Sequence, residues 1–232
     1  AYTALKEVMG VEDPYYEDKK ESNITAMELA KEIRVEIEES ADPIDKALHA
    51  AAAGNLIDMG ITHDFDILAD LRILMDRGFA KSDIDVFRRE LAKNKRLLYL
   101  GDNAGEIMFD KLLIEQLVQL GLDVTFTVKS GPIINDATME DAETVNMRDV
   151  ARVIETGSND IGVNWESASS EFIAHLKQAD IVLSKGQGNF ETCNDRPENI
   201  YFLLKAKCEL VARELEVKLG DIIFVRNPRH ST

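Results

Sequence analysis

Asp102 and Asn103 follow directly on the apolar run "LLYLG", and Asp136 follows "LDVTFTVKSG" by a few residues. A carboxylate and an amide at the end of one strand-like segment, with a second carboxylate at the end of the next, are oxygen donors of the kind a hard divalent cation takes. Magnesium-type sites commonly use one or two carboxylates and leave positions for water and substrate phosphate. Lys185 opens the run Lys185-Gly186-Gln187-Gly188-Asn189 after a further strand-like segment. Its charge can neutralise a phosphoryl oxygen beside the backbone N–H groups of the Gly186–Gly188 loop. Ser130 closes the second strand-like segment, next to Lys129. Such a set of groups suits hydrolysis of a phosphate ester by a water that the cation activates.

Other chemistries compete for the same residues. Gly101-x-x-x-Gly105 matches neither GxGxxG nor GxxxxGK[ST], and Lys129-Ser130 stand where a dinucleotide fold wants an acid for the ribose. A methyl-donor site would want an open glycine turn, and Asp102-Asn103 fill that place. A haloacid-dehalogenase-type phosphatase needs a second aspartate two residues after the first, where this chain has Ala104. Taken singly, Asp102 and Asp136 read as helix caps. Taken with Lys185 on one rim, they read as a site. Two alternatives to a phosphatase stay open: a methyltransferase using S-adenosylmethionine, and a non-enzymatic protein that binds a phosphometabolite through a metal.

The elements that must position these residues fall into two parts. Residues 1 to about 92 read as all helix, in segments such as "SNITAMELAKEIRVEIEES" with Ser22 or Asn23 as cap, and "DPIDKALHAAAAGNLIDMG" with Pro43 in its first turn. Gly54 inside the latter marks a helix end or a close approach by another element. "SDIDVFRRELAKN" reads as a helix capped by Ser82-Asp83. From residue 93 the pattern alternates: "RLLYLG", "LDVTFTVKSG", "ARVIETG", "ADIVLSKG", "YFLLKAKC" and "DIIFVRN" are strand-like, with amphipathic helices between them. Alternation of this kind implies right-handed crossovers and a mainly parallel, Rossmann-like sheet with helices on both faces. The expected architecture is thus α/β: a helical lobe, 1–92, packed as one unit on an α/β domain, 93–232. Ligands in such sheets bind beyond the carboxyl ends of the strands, where Asp102, Asp136 and Lys185 all fall.

Composition narrows the classes. A formal charge of −16, from 43 acidic and 27 basic residues, argues against a nucleic-acid surface, which needs clustered cations. No apolar run approaches the ~20 residues of a membrane span, and no signal peptide is visible. Cys193 and Cys208 have neither disulfide nor metal spacing and suit thiols in a reduced cytoplasm. His49, His63, His175 and His230 are scattered without ligand spacing. Glu106, in the first turn of its helix, interacts with the helix dipole or orients the attacking water. The chain opens at Ala1 in an already helical stretch, from which we expect an N-terminal segment to be missing. Oligomeric state leaves no mark in the spacing.

The blocks "LYLGDNAGEIMFDKLLIEQL", "KSGPIINDATMEDA", "LSKGQGNFET" and "LLKAKC", with "DPYY" and "AAAGNLIDMG" in the helical lobe, resemble the damage-control phosphatase family, also called domain of unknown function 89, in its archaeal and bacterial branch. The resemblance covers nearly the whole chain. It implies a metal-dependent phosphatase that hydrolyses small phosphate monoesters, such as sugar phosphates or phosphopantetheine-like metabolites, in metabolite damage control. It implies a metal held by Asp102, Asn103 and Asp136, with Lys185 as the family lysine; carboxylate and amide oxygens suit Mg²⁺ or Mn²⁺, and looser selectivity admits Co²⁺ or Ni²⁺. It also implies that Asn55 and Asp58 bring the helical lobe over the pocket. Two departures stand out. The Cys-x-x-Cys pair that relatives often carry near the N-terminus is absent, and Lys129 stands where some relatives have arginine, which keeps the charge but loses the bidentate fork.

Overall fold

The computed structural model describes residues 2–55, 67–227 and 229. Seven strands form one sheet: β1 (Lys81–Ser82), β2 (Arg96–Leu100), β3 (Asp123–Val128), β4 (Arg152–Glu155), β5 (Ile181–Lys185), β6 (Ile200–Lys205) and β7 (Ile222–Arg226). Their order is β1-β7-β6-β5-β2-β3-β4; every neighbouring pair is parallel except β6 and β7. The central strands are buried along nearly their whole length, as expected where helices cover both faces of a parallel sheet. Every strand-like run read from the sequence is a strand. The order reverses between β2 and β5, and the crevice beyond their carboxyl ends is the switch point at which such sheets bind ligands.

Two helices leave that crevice: α6 (Glu106–Gln119) after β2, and α9 (Gln187–Cys193) after β5. The first packs among α2 (Tyr16–Glu38) and α3 (Pro43–Ala53). Pro43 occupies the first turn of α3, and the Asp42 side chain accepts from the Asp45 N–H at 3.2 Å, so helix entry is set locally. The alanine face of α3 lets α6 come close. A Cβ on Gly54, which caps the helix, would lie 2.9 Å from Phe109. One apolar cluster runs from Ala26, Ile33 and Leu48 through Phe109 and Leu113 to Tyr99, Phe126 and Phe224. The N-terminal helices and the sheet therefore share a core. A second cluster under α9, built on Leu98, Phe172, Phe190 and Phe202, covers the opposite face.

Several expectations change. Residues 1–92 are not wholly helical, because Lys81–Ser82 add a short strand beside β7. Of the expected Ser82-Asp83 cap, Asp83 is the residue that precedes α5 (Ile84–Leu91), but its Oδ2 accepts from the Arg226 N–H at 2.8 Å, and it is the Ser82 Oγ that accepts from the Ile84 N–H, at 3.4 Å. The helix expected to start at Ser22 or Asn23 begins at Tyr16, where Asp13 accepts from the Tyr15 N–H at 3.0 Å. Asn23 lies inside it and is buried. The expected glycine loop after Lys185 is the start of α9, so Gly188 is helical.

Candidate metal and phosphate site

Backbone pairing brings the two expected carboxylate turns together. Asn103 and Asp136 form an isolated antiparallel bridge, the Ala104 N–H donates to Asn135 O at 2.9 Å, and the Ala137 N–H donates to Asp102 O at 2.8 Å. Asp102, Asn103 and Asp136 thus share one rim, as the sequence reading expected of them. Asp102 is partly exposed, whereas Asn103 and Asp136 are buried.

The charges there are crowded. Burial raises the Asp102 carboxyl well above its ordinary range, and the nearby charges of Glu106 and Asp136 raise it further. Burial also raises Asp136, against the pull of Lys129, whose ammonium stands 3.4 Å from its carboxylate. The Lys129 ammonium also donates to Gly162 O. Two carboxylates that disfavour each other's ionisation are a place where a bound cation relieves repulsion. Among the described residues no three His, Cys, Asp or Glu side chains converge as a cage. The donor set is two carboxylates and an amide, which fits a hard cation that keeps much of its water and takes phosphate oxygen.

Behind this rim lies a buried network centred on Glu106. Lys185 donates to Glu106 Oε2 at 2.8 Å and to Asp110 Oδ1 at 3.0 Å, and Tyr99 donates to Asp110 Oδ1 at 2.7 Å. Glu106 Oε1 accepts from Asn103 at 2.9 Å and from Asn55 at 2.5 Å. Burial pushes Glu106 up, but the charge and hydrogen bond of Lys185 and the Asn103 amide outweigh it and hold the carboxyl below its ordinary value. Burial opposes the Lys185 charge too, yet Asp110 and Glu106 lift its ammonium above the ordinary range. Burial raises Asp110 to about 6, with Lys185 opposing. Asp110 Oδ2 has no hydrogen-bond partner among the described residues.

The remaining expected residues are distributed as follows. Asn55 reaches the site through Glu106, whereas Asp58 lies outside the described residues. Gly186, at φ +82°, brings backbone against Asp102, since a Cβ there would lie 1.9 Å from Asp102 Oδ2. Its N–H donates to Leu203 O at 3.1 Å, so it is already engaged. The Asn189 side chain donates to Gly101 O at 3.0 Å and Lys185 O at 2.8 Å, bracing the two turns against each other. Ser130 is exposed, and its Oγ accepts from the Gly157 N–H at 2.9 Å. The Lys185 ammonium is turned to Glu106 and Asp110, and its charge acts on the rim at one remove.

Three participants escaped the sequence reading. Asp110 stands four residues after Glu106, and a pair of acids at that spacing on the apolar side of a helix was the available signal. Lys19 and Asn23 of α2 reach the second turn through Asp141, with nothing in their spacing to mark them.

Comparison with known proteins finds relatives along nearly the whole chain. The model of the damage-control phosphatase ARMT1-like domain matches residues 1–223. A Pyrococcus horikoshii protein named damage-control phosphatase is 35% identical over 97% of this chain and 79% of its own length. An Archaeoglobus fulgidus protein of the same name is 36% identical over 94% and 77%. An uncharacterized Methanocaldococcus jannaschii protein is 36% identical over 96% and 76%. The crystal structure of a DUF89 family protein from Pyrococcus horikoshii superposes with a TM-score of 0.89 at 33% identity, covering 97% of this chain and 79% of that one.

Proposed function

We propose, from the premise that the chain belongs to the ARMT1-like damage-control phosphatase family, that it is a metal-dependent phosphatase of small phosphate monoesters. Asp102, Asn103 and Asp136 hold a divalent cation of the Mg²⁺, Mn²⁺, Co²⁺ or Ni²⁺ type. The observation that carries this reading is the crowding of Asp102 and Asp136 on one rim, where both carboxyls are raised above their ordinary range although Lys129 stands beside Asp136. When bound, the cation supplies positive charge against a phosphoryl group and lowers the pKa of water.

This chain's own groups do the rest. Glu106 fixes the Asn103 amide, so the first turn presents its donors in one orientation. Lys185 keeps Glu106 ionised and adds positive charge behind the rim, where it offsets the charge of an incoming phosphate. Lys129 likewise adds positive charge beside Asp136. A broad open cavity of about 530 Å³ lies beside the rim at Lys129 and Ser130, lined also by residues of the 11–16 segment and by none of the three proposed cation ligands. Sugar phosphates and phosphopantetheine-like esters are the substrates to try first.

The test is phosphate release from a panel of sugar phosphates, phosphopantetheine and a chromogenic ester, using metal-stripped protein with each cation restored in turn. Activity that returns with metal and is lost in Asp102→Ala is the expected result. A panel that stays silent while the folded protein binds metal would contradict hydrolysis and leave a phosphometabolite-binding protein.

A further inference from the structure

We propose that Asn23 of α2 is a positioning residue that sets the separation of the two cation-bearing turns; this rests on the metal reading above. The backbone lacing between Asn103 and Asp136 joins the turns on one side, and Asn23 joins them on another. Its Oδ1 accepts from the Gly105 N–H at 2.8 Å, two residues after Asn103. Its Nδ2 donates to Asp141 Oδ1 at 2.9 Å. Asp141 in turn accepts through Oδ2 from the N–H and the hydroxyl of Thr138, both at 2.8 Å, two residues after Asp136. One side chain therefore spans from the first ligand turn to the second.

The chemistry requires an amide. It accepts and donates at once, whereas a carboxylate only accepts and an alanine does neither. Gly105, at φ +78°, precedes the first turn of α6, where N–H groups have no intrahelical carbonyl to reach. Without Asn23 this buried N–H is left unpaired. The amide itself is firmly mounted. Asn23 is 1% exposed, Ala26, Ala30 and Ile33 bury the same helix in the core, and Lys19 grips Asp141 Oδ2 at 2.9 Å. Ligands on separate turns bind a cation well only within about 0.5 Å of the productive geometry, and loss of a supporting contact typically weakens metal affinity about 10–100-fold.

The test is calorimetric titration of Mn²⁺ into the metal-stripped full chain, with circular dichroism to verify folding. Asn23→Asp is nearly isosteric; it keeps the acceptor for Gly105 but sets a carboxylate against Asp141. Added negative charge near a cation would by itself tighten binding, whereas a broken clamp weakens it. We expect the Kd for Mn²⁺ to rise about tenfold or more in Asn23→Asp and in Asn23→Ala. Ile33→Ala loosens the same helix away from both turns and should leave the Kd within about twofold of wild type. Unchanged or tighter binding in folded Asn23→Asp would overturn the clamp, as would an equal loss in Ile33→Ala. Absence of Mn²⁺ binding in the wild type would overturn the metal reading itself and the clamp with it.

Discussion

The turns after β2 and β5 look alike in sequence and serve opposite ends. Each leaves a central strand, contains a glycine at positive φ (Gly105 at +78°, Gly186 at +82°) and enters a helix. The β2 turn carries Asp102 and Asn103 and continues into Glu106 and Asp110, so it concentrates charge. The β5 turn supplies close approach: Gly186 lies against the Asp102 carboxylate with no room for a Cβ, while Asn189 ties it to Gly101. Lys185, the one cation of the second turn, is spent on the acids of the first. A glycine-rich turn therefore does not announce a phosphate cradle; what its neighbours lack in space and charge decides what it is for.

Removing the cation that joins the two turns should have the largest effect. Lys185→Met strands Glu106 and Asp110 as buried, unpaired acids, and breaking a buried pair on one side costs about 3–5 kcal/mol. Urea unfolding near neutral pH measures this, and a loss below about 1 kcal/mol would show that the acids are neutral or solvated. Asp110 comes next. Its folded carboxyl holds a proton up to about pH 6, and unfolded aspartate does so only to about pH 4. The stability it contributes is thus fully present below about pH 4 and lost as pH rises through about 6. A gap of about two pH units between the folded and unfolded titrations corresponds to about 3 kcal/mol. Stability of the metal-free wild type should fall by roughly this amount relative to Asp110→Asn between those pH values, and parallel profiles would refute the assignment. Gly186→Ala should cost about 2 kcal/mol from its backbone conformation and push Asp102 aside, lowering phosphate release as well. A fully stable and active Gly186→Ala would mean that the turns do not need their close approach.

The difference between the turns also explains what was legible in the sequence. Buried parallel strands such as "LLYL" and "DVTFTV" are written as continuous apolar and β-branched runs, so the six longer strands and the rim they define could be read directly. Asp102, Asn103 and Asp136 could be located because their place beyond strand ends follows from that topology. The two-residue strand at Lys81–Ser82 offers no run to read. Helix α9 was hidden because Gly186 and Gly188 lower local helix propensity, whereas close packing of Gly188 and Thr192 against Ile161 and Gly162 favours it. Asn23 looked like a helix cap because asparagine near a helix start usually is one. Its partners at Gly105 and Asp141 are 82 and 118 residues away, beyond any local pattern. The Lys185 side chain was expected to face phosphate, and only the fold shows Glu106 and Asp110 taking it.

On the proposed reading, Asp102 and Asp136 are crowded because they share a cation. The most direct test is the melting temperature of metal-stripped wild type and Asp102→Asn, each with and without Mn²⁺. Because the folded state penalises the Asp102 charge, Asp102→Asn should melt at or above the metal-free wild type. Mn²⁺ should raise the melting temperature of the wild type and leave the variant unmoved. A variant that melts lower without metal, yet gains as much from Mn²⁺ as the wild type, would contradict that reading.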